Sequence, residues 1–259
     1  MRIASWNVNS IRPRMEQLTG WLARARPDVV CLQETKVEDE KFPASEIGDA
    51  GYAFVHFGQR TYNGVAILAR YGLAIEDVKR GLDDDPEDAH RRLIAATVEG
   101  IRIVNVYVPN GQEITAPAYQ YKLEWLARLK RDLAQHHRPD EPLLVCGDFN
   151  VAPEDIDVHN TKKWESTVLF HPSARARLHE LMSFGLADAF RKKNPEAKEF
   201  SWWDYRAGAY KRNWGLRIDL ALVTEPLLAR ITSAQIDKAP RELDRPSDHT
   251  PVVIDVDPA

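Results

Sequence analysis

The residues of this chain best suited to chemistry are Asn7, Glu34, Tyr107, Asn110, Asp148, Asn150, Asp219, Asp248 and His249. Most of them border short apolar runs that read as strands, so they fall where a rigid scaffold meets a loop. Singly, each has an ordinary explanation: Asp148 and Asn150 could form an Asx turn, Asp219 a strand-end cap, Tyr107 a core ring and His249 a hydrogen-bonded surface ring. Together they supply hard oxygen ligands, a carboxylate base, an imidazole and neutral donors. That inventory suits hydrolysis of a phosphate ester with a metal ion. Oxygen donors without a cysteine or histidine cluster favour Mg²⁺, or Mn²⁺, over zinc. A serine hydrolase has little support, because Ser247, Asp248 and His249 are consecutive and no G-x-S-x-G elbow exists.

The elements that must position these groups centre on residues 143–150, LLVCGDFN. Its four leading apolar residues predict a strand buried on both faces, and Gly147 allows a sharp turn without a Cβ clash. Earlier, a strand at 3–8 leads to a helix opened by Pro13, with apolar positions Met15, Leu18, Trp21, Leu22 and Ala25, and stopped by Pro27. A short buried strand at 29–32 completes an α/β opening. Strands at 53–57, 64–69, 93–98 and 101–108 follow, with connections too short for crossover helices, which predicts an antiparallel meander. An amphipathic helix at 119–136 precedes the central strand, and a second helix from about 174 to 184 has Gly185 as its stop. The last strong strands are 218–223 and 252–256. The acidic tract Asp83, Asp84, Asp85, Glu87 and Asp88 reads as a solvated loop. No stretch resembles a linker, so one domain spanning 1–259 is expected, with two packed sheets and helices outside.

Composition narrows the class. With 44% hydrophobic and 29% charged residues the chain has a soluble, globular balance. No apolar run approaches the ~20 residues of a membrane helix, so no membrane partner, no cleaved signal and a cytoplasmic location are expected. Cys31 and Cys146 fall in apolar runs outside any metal-ligand spacing and read as buried, reduced thiols. A net charge of −4 argues mildly against nucleic acid. Charges beyond a Debye length of ~8–10 Å hardly interact, so local charge decides.

The segments SWNVNSIR (5–12), LQETK (32–36), YNGVAIL (62–68), VYVPNG (106–111), GDFN (147–150), FSWWDYR (200–206), GLRID (215–219) and PSDHTPV (246–252) carry a resemblance. In order, and from the first strand to the last, they resemble the exonuclease III family of apurinic/apyrimidinic endonucleases, within the wider endonuclease/exonuclease/phosphatase superfamily. The resemblance implies an α/β (α+β) fold, a deoxyribonuclease I-like four-layer sandwich of two mixed, mainly antiparallel sheets flanked by helices. It implies a Mg²⁺-dependent DNA repair nuclease that cuts the phosphodiester 5′ to an abasic site, with 3′–5′ exonuclease and 3′-phosphatase or phosphodiesterase activity beside it. The implied partner is double-stranded DNA with abasic sites or blocked 3′ ends, bound by a monomer.

Carried over by position, Glu34 resembles the principal metal carboxylate, with Asn7 and Asp248 resembling neighbours that help to hold or orient the ion and Asp148, Asn150 and His249 counted in the same metal set. Asp148 resembles the residue that positions and deprotonates the attacking water, and Asn150 its phosphate-binding neighbour. Asp219 resembles the partner of His249, which donates to a non-bridging phosphate oxygen; Tyr107 and Asn110 resemble phosphate-contacting residues. Asn9, Arg12, Lys36, Arg91, Arg92, Lys122 and Arg217 lie in or beside the matched segments and are expected at DNA phosphates. Trp202, with Leu216, is expected to wall the pocket for the base-less sugar. Phosphatases of inositol lipids and sphingomyelinases share the metal carboxylate, GD-x-N and SDH elements, but FSWWDYR and GLRID favour the DNA branch. A regulator that kept the fold and lost catalysis should have decayed at Glu34, Asp148, Asn150 or His249, all of which are intact. Residues 155–171 show no strong motif.

Overall fold

The structure, a computed structural model, describes residues 1–86 and 89–258. Its strands are β1 (Arg2–Asn7), β2 (Val29–Gln33), β3 (Tyr52–Phe57), β4 (Val65–Arg70), β5 (Glu76–Arg80), β6 (Leu93–Val98), β7 (Ile101–Tyr107), β8 (Leu143–Asp148), β9 (Leu186–Asp188), β10 (Asp219–Thr224), β11 (Ile231–Ile236) and β12 (Val252–Val256). The helices that cover them include α1 (Met15–Ala25), α2 (Ala44–Asp49), α3 (Pro117–His136), α4 (Thr161–Trp164) and α5 (Pro172–Met182).

One six-stranded sheet runs β11-β12-β1-β2-β4-β3 and the other β5-β6-β7-β8-β10-β9. Among the described residues only β1/β2 and β7/β8 pair parallel, and these are the pairs whose connections contain α1 and α3. Side-chain alternation along β8 shows how the layers stack. Leu143 and Val145 pack under α3 and α5 with Leu126, Leu129, Leu133, Leu178 and Leu181, while Leu144 and Cys146 face the other sheet beside Ile3, Cys31, Val65, Ile67 and Ile94. On the far side, α1 and α2 lay Leu18, Trp21, Leu22 and Ile47 over Ala4, Trp6, Val30 and Leu68. The result is four layers: helices, sheet, sheet, helices.

Three expectations need correction. The meander is two separate units, since β3 pairs β4 in the first sheet while β5, β6 and β7 join in the second. Each unit buries its inner face against the other, Ile67 of β4 sharing a core with Ile94 and Ala96 of β6. Gly147 does not turn the chain out of β8. It extends the strand at φ 141°, where an added Cβ would lie 1.9 Å from the Val106 carbonyl oxygen, so the close parallel approach of β7 requires glycine. Finally, the acidic tract is paired rather than merely solvated: Asp84 and Asp85 meet Arg128 of α3 at 2.6 and 2.7 Å, and Asp83 meets Lys79 at 2.9 Å. Glu87 and Asp88 lie outside the described residues.

This topology carries the polar strand ends to one edge. Asn7, Tyr107 and Asp148 end β1, β7 and β8, and Glu34 follows β2. Asp219 opens β10 directly opposite Asp148, and His249 precedes β12, which runs antiparallel to β1. Beneath them a buried amide pair ties the sheets together. Gln33 donates to Asn105 Oδ1 at 2.7 Å, and Asn105 Nδ2 donates to the carbonyls of Leu32 and Ala66.

Candidate active site

The site is built around Asn7, which is fully buried. Its Nδ2 donates to Glu34 Oε1 and to Asp148 Oδ2, both at 2.9 Å, so one amide spans the two sheets and sets the separation of two carboxylates. The Asn9 backbone N–H donates to Asn7 Oδ1 at 2.9 Å, which fixes the direction in which the amide faces. Glu34, at φ 51°, Lys36, at φ 54°, and Asn150, at φ 51°, are left-handed. Such residues cost about 1–3 kcal/mol each and persist where the surroundings over-determine them. Here the restraint is visible: Ser10 N bonds Glu34 O at 2.7 Å, Thr35 N bonds Gly64 O at 3.1 Å, and the Thr35 hydroxyl meets buried His56 Nε2 at 2.9 Å.

On the other side of Asp148, His249 Nε2 lies 3.7 Å from Oδ2, and His249 Nδ1 meets Asp219 Oδ2 at 2.8 Å. Asp219 Oδ1 is buried and has no hydrogen-bond partner. Burial pushes Asp148 up to about 7, with Asp219 and Glu34 adding to the effect against the opposing pull of His249. Burial alone would lower His249, but Asp219 and Asp148 outweigh it and raise the ring to about 10, so it is protonated at neutral pH. Burial, with Glu34 and Asp148 nearby, also pushes the Tyr107 phenol well above its usual range. The arrangement therefore pairs a carboxylate base near neutrality with a fixed cationic donor.

Glu34, Asp148 and His249 each present a ligand atom within 4.8 Å of the others. Two carboxylates that share a small space, with a further buried carboxylate oxygen unbonded on Asp219, are the surroundings a hard divalent cation fits. His249 Nε2 could ligate only after losing its proton, so the oxygens of Glu34 and Asp148 are the fitting set. Asn7, Asn150 and Asp248, also expected among the ligands, hold hydrogen bonds in this structure, as the oxygens of Glu34 and Asp148 themselves do. Asn7 turns its NH₂ to the carboxylates. Asn150 accepts from Asn110 Nδ2 at 3.1 Å and donates to Val108 O and Asp148 Oδ2. Asp248 accepts from Asn9 Nδ2 and from Trp202 Nε1, both at 2.9 Å.

Of the expected DNA contacts, Arg12 is exposed and half-buried Lys36 bridges Glu34 Oε2 at 2.8 Å and Asn9 Oδ1 at 2.6 Å. Arg91 lies over the Phe57 ring and Arg92 over the Tyr107 ring, the latter donating to Tyr107 O. Lys122 and Arg217 are corrections, because both are fully buried and cannot reach a phosphate. Arg217 is locked to Asp157 and Asp188 at 2.7 Å each, and Lys122 is bonded to backbone carbonyls. Leu216 is a further correction. It is completely buried behind Trp202, exchanging backbone hydrogen bonds with it at 3.0 Å, so it backs the wall instead of lining it.

Trp202 does line a cleft of about 490 Å³, together with Asn110, Ile114, Trp164, Val168 and Leu169. Its ring meets that of Trp164 edge to face at 5.9 Å between centroids. Trp164, Val168 and Leu169 come from the stretch without a motif. A lone tryptophan among lysines and an apolar triplet too short for a strand, 168–170, were the signals available there.

The model of the Endonuclease/Exonuclease/phosphatase family matches residues 4–249. The chain is 38% identical over 267 aligned positions to "Exodeoxyribonuclease III" of Haemophilus influenzae, with 97% of this chain and 98% of that one covered. It is similar to the solved structure of an AP endonuclease from Archaeoglobus fulgidus, with TM-score 0.96, 42% identity and 99% of both chains covered. It is also similar to a 3′ phosphatase, NExo, from Neisseria, solved with a product DNA hairpin, with TM-score 0.94, 39% identity and 99% of both chains covered. A match of this extent, over a chain whose two sheets bring the SDH, GDFN and LQETK residues to one edge, means that the chain belongs to the endonuclease/exonuclease/phosphatase family.

Proposed function

We propose that this protein is a divalent-metal-dependent DNA repair nuclease that hydrolyses the phosphodiester 5′ to an abasic site in duplex DNA, with 3′-terminal exonuclease and 3′-phosphatase reactions at the same centre. The observation that carries the reading is the continuity of site and cleft. Asn110 bonds Asn150 and also lines the cleft, and Trp202, the facing wall, bonds Asp248 of the SDH segment. Relatives named exodeoxyribonuclease III, AP endonuclease and 3′ phosphatase support the same substrate class.

Glu34 and Asp148 would hold Mg²⁺, which supplies Lewis-acid neutralisation of the phosphate's charge. Asp148, once ionised, accepts a proton from the attacking water. Protonated His249 donates from Nε2 to a non-bridging oxygen, where negative charge grows in the transition state. Asp219 fixes that ring and keeps it charged. Asn110, Asn150 and the Tyr107 phenol offer neutral donors around the phosphate, and water forms a new P–O bond as the 3′ oxygen of the preceding nucleotide leaves. Because both sheets contribute to one centre, we read the chain as a single domain, acting as a cytoplasmic monomer.

The test is a duplex with one synthetic abasic site, incubated with purified protein with and without Mg²⁺. A single nick 5′ to the site, with Mg²⁺ only, is expected. No incision of this duplex at any Mg²⁺ concentration would reject the reading.

A further inference from the structure

Lys122 sits in α3 with its side chain at 0% exposure. Its ammonium has three N–H donors, and these meet the carbonyl oxygens of Asn110 at 3.0 Å, Asn150 at 2.7 Å and Val168 at 2.7 Å. The three carbonyls belong to three separate segments. Asn110 follows β7 and Asn150 follows β8, while Val168 lies in the stretch that brings Trp164 over the cleft. The first two segments are joined again by their side chains at 3.1 Å, and Asn150 N donates to Asp148 Oδ1 at 2.8 Å. Burial pushes the Lys122 ammonium down to about 7, against the pull of nearby Asp148, so holding an amine on three carbonyls here carries a desolvation cost that an apolar side chain of similar length would avoid.

We infer that Lys122 is a positioning residue, which fixes the backbone of the two asparagine segments against the segment carrying Trp164 and so sets the cleft wall relative to Asp148. The inference rests on the nuclease reading above. Supporting groups of this kind matter because a reacting centre tolerates only a few tenths of an ångström of misplacement. Two consequences are separable. Through Asn110 and Asn150, loss of Lys122 lowers turnover on every phosphate substrate. Through Val168, it loosens the cleft and weakens the preference for an abasic site. Glu34 is not among its partners and Asp148 is reached only through the Asn150 backbone, so the metal requirement changes far less than turnover does.

The experiment compares wild type with Lys122→Met and Lys122→Arg. Turnover and KM are measured on an abasic duplex and on a 3′-phosphate duplex, and folding is followed by circular dichroism and melting. Fluorescence anisotropy in excess chelator gives affinity for a tetrahydrofuran-containing duplex relative to an intact one. We expect Lys122→Met to lower kcat at least tenfold on both substrates and to shrink the binding preference severalfold, while the half-saturating Mg²⁺ concentration moves by no more than about twofold. Lys122→Arg, which keeps a charged donor, should recover part of both. A folded Lys122→Met variant within twofold of wild type in kcat and preference overturns the inference, as does a metal requirement that rises in step with the loss. Should Lys122→Met not fold, Lys122→Gln, which keeps one donor, carries the same comparison. Wild-type protein that cleaves neither substrate would instead count against the nuclease reading itself.

Discussion

His249 Nδ1 lies 2.8 Å from Asp219 Oδ2, and this buried contact leaves the opposite ring nitrogen 3.7 Å from Asp148 Oδ2. One imidazole thus stands between two carboxylates of different standing. Asp219 is its permanent partner, whereas Asp148 has a pKa of about 7 and exchanges its proton near neutrality.

The rate of abasic-site cleavage should therefore follow a bell-shaped pH profile. Without metal, burial keeps Asp148 protonated, and unable to act as base, below about 7; bound Mg²⁺ favours the carboxylate, so the acid limb should move to lower pH as Mg²⁺ is raised. At the other end His249 stays protonated until about 10 and loses its donor role above it. Asp219→Asn removes the strongest of the charges that raise the ring, so the alkaline limb should move to lower pH. Asp148→Asn is nearly isosteric and should cost roughly 10² to 10⁴ in rate. A folded Asp148→Asn variant with near wild-type turnover would remove Asp148 from the chemistry, and an unmoved alkaline limb in Asp219→Asn would unseat the pair.

Metal dependence should trace to Glu34. Excess chelator is expected to abolish cleavage and Mg²⁺ to restore it, while Glu34→Ala requires far more Mg²⁺ for half-maximal rate. The same variant leaves Lys36 without its 2.8 Å partner, so Glu34→Gln, which retains a hydrogen-bond acceptor, serves as the control for loop geometry. Full activity in excess chelator would sink the metal mechanism.

The strand framework was legible because its apolar runs, though short, are nearly unbroken and rich in β-branched residues; β6 and β12 match their expected limits, residues 93–98 and 252–256. Which sheet each strand joins was not. That β6 takes β5 and not β4 as its second neighbour depends on which faces pack together across the two sheets, and local spacing is blind to that. Strand β5, EDVKR, and strand β9, LAD, carry too few apolar residues to announce themselves. Site residues such as Glu34 and His249 were legible as a set of chemical types within matched segments. Lys122 and Arg217 were misread because a basic residue beside a motif looks the same in sequence whether it faces DNA or a buried carbonyl. Their partners, Val168 for Lys122 and Asp157 with Asp188 for Arg217, lie tens of residues away.

Stability provides a test of the Arg217 correction. Its guanidinium spans Asp157 and Asp188 in the interior, and Arg191 reaches Asp157 as well at 2.6 Å. Removing one partner of a buried ionic group leaves uncompensated charge, at a cost of about 3–5 kcal/mol. Arg217→Met should therefore lower the urea midpoint strongly, whereas Arg12→Met, at an exposed position, should change it little. The salt dependence of DNA binding should respond in the opposite way, weakening for Arg12→Met if that residue meets a phosphate. Arg217→Met with wild-type stability would contradict the buried assignment.

Trp202 decides substrate choice in this reading. A nuclease that acts at a missing base must admit a sugar turned out of the helix, where the absent base leaves less stacking to break. Trp202 packs edge to face on Trp164 in the lining of the cleft, and it is further held by its Nε1 bond to Asp248, so the ring is braced on both sides. Loss of the apolar surface that a ring offers to the sugar face costs ~1.5–3 kcal/mol, roughly ten- to 150-fold in the corresponding step. Trp202→Ala should thus lower cleavage at an abasic site by about that factor, and lower release of a 3′-terminal phosphate much less, with an unchanged Mg²⁺ requirement. Trp202→Phe keeps an apolar ring but forfeits the bond to Asp248, and it should fall between wild type and alanine on the abasic substrate. Both substrates are to be run on one preparation, with circular dichroism to confirm folding. Equal losses on the two substrates would make Trp202 a part of the reacting centre rather than its gate, and no loss on either would leave recognition of the sugar to Trp164 and its neighbours.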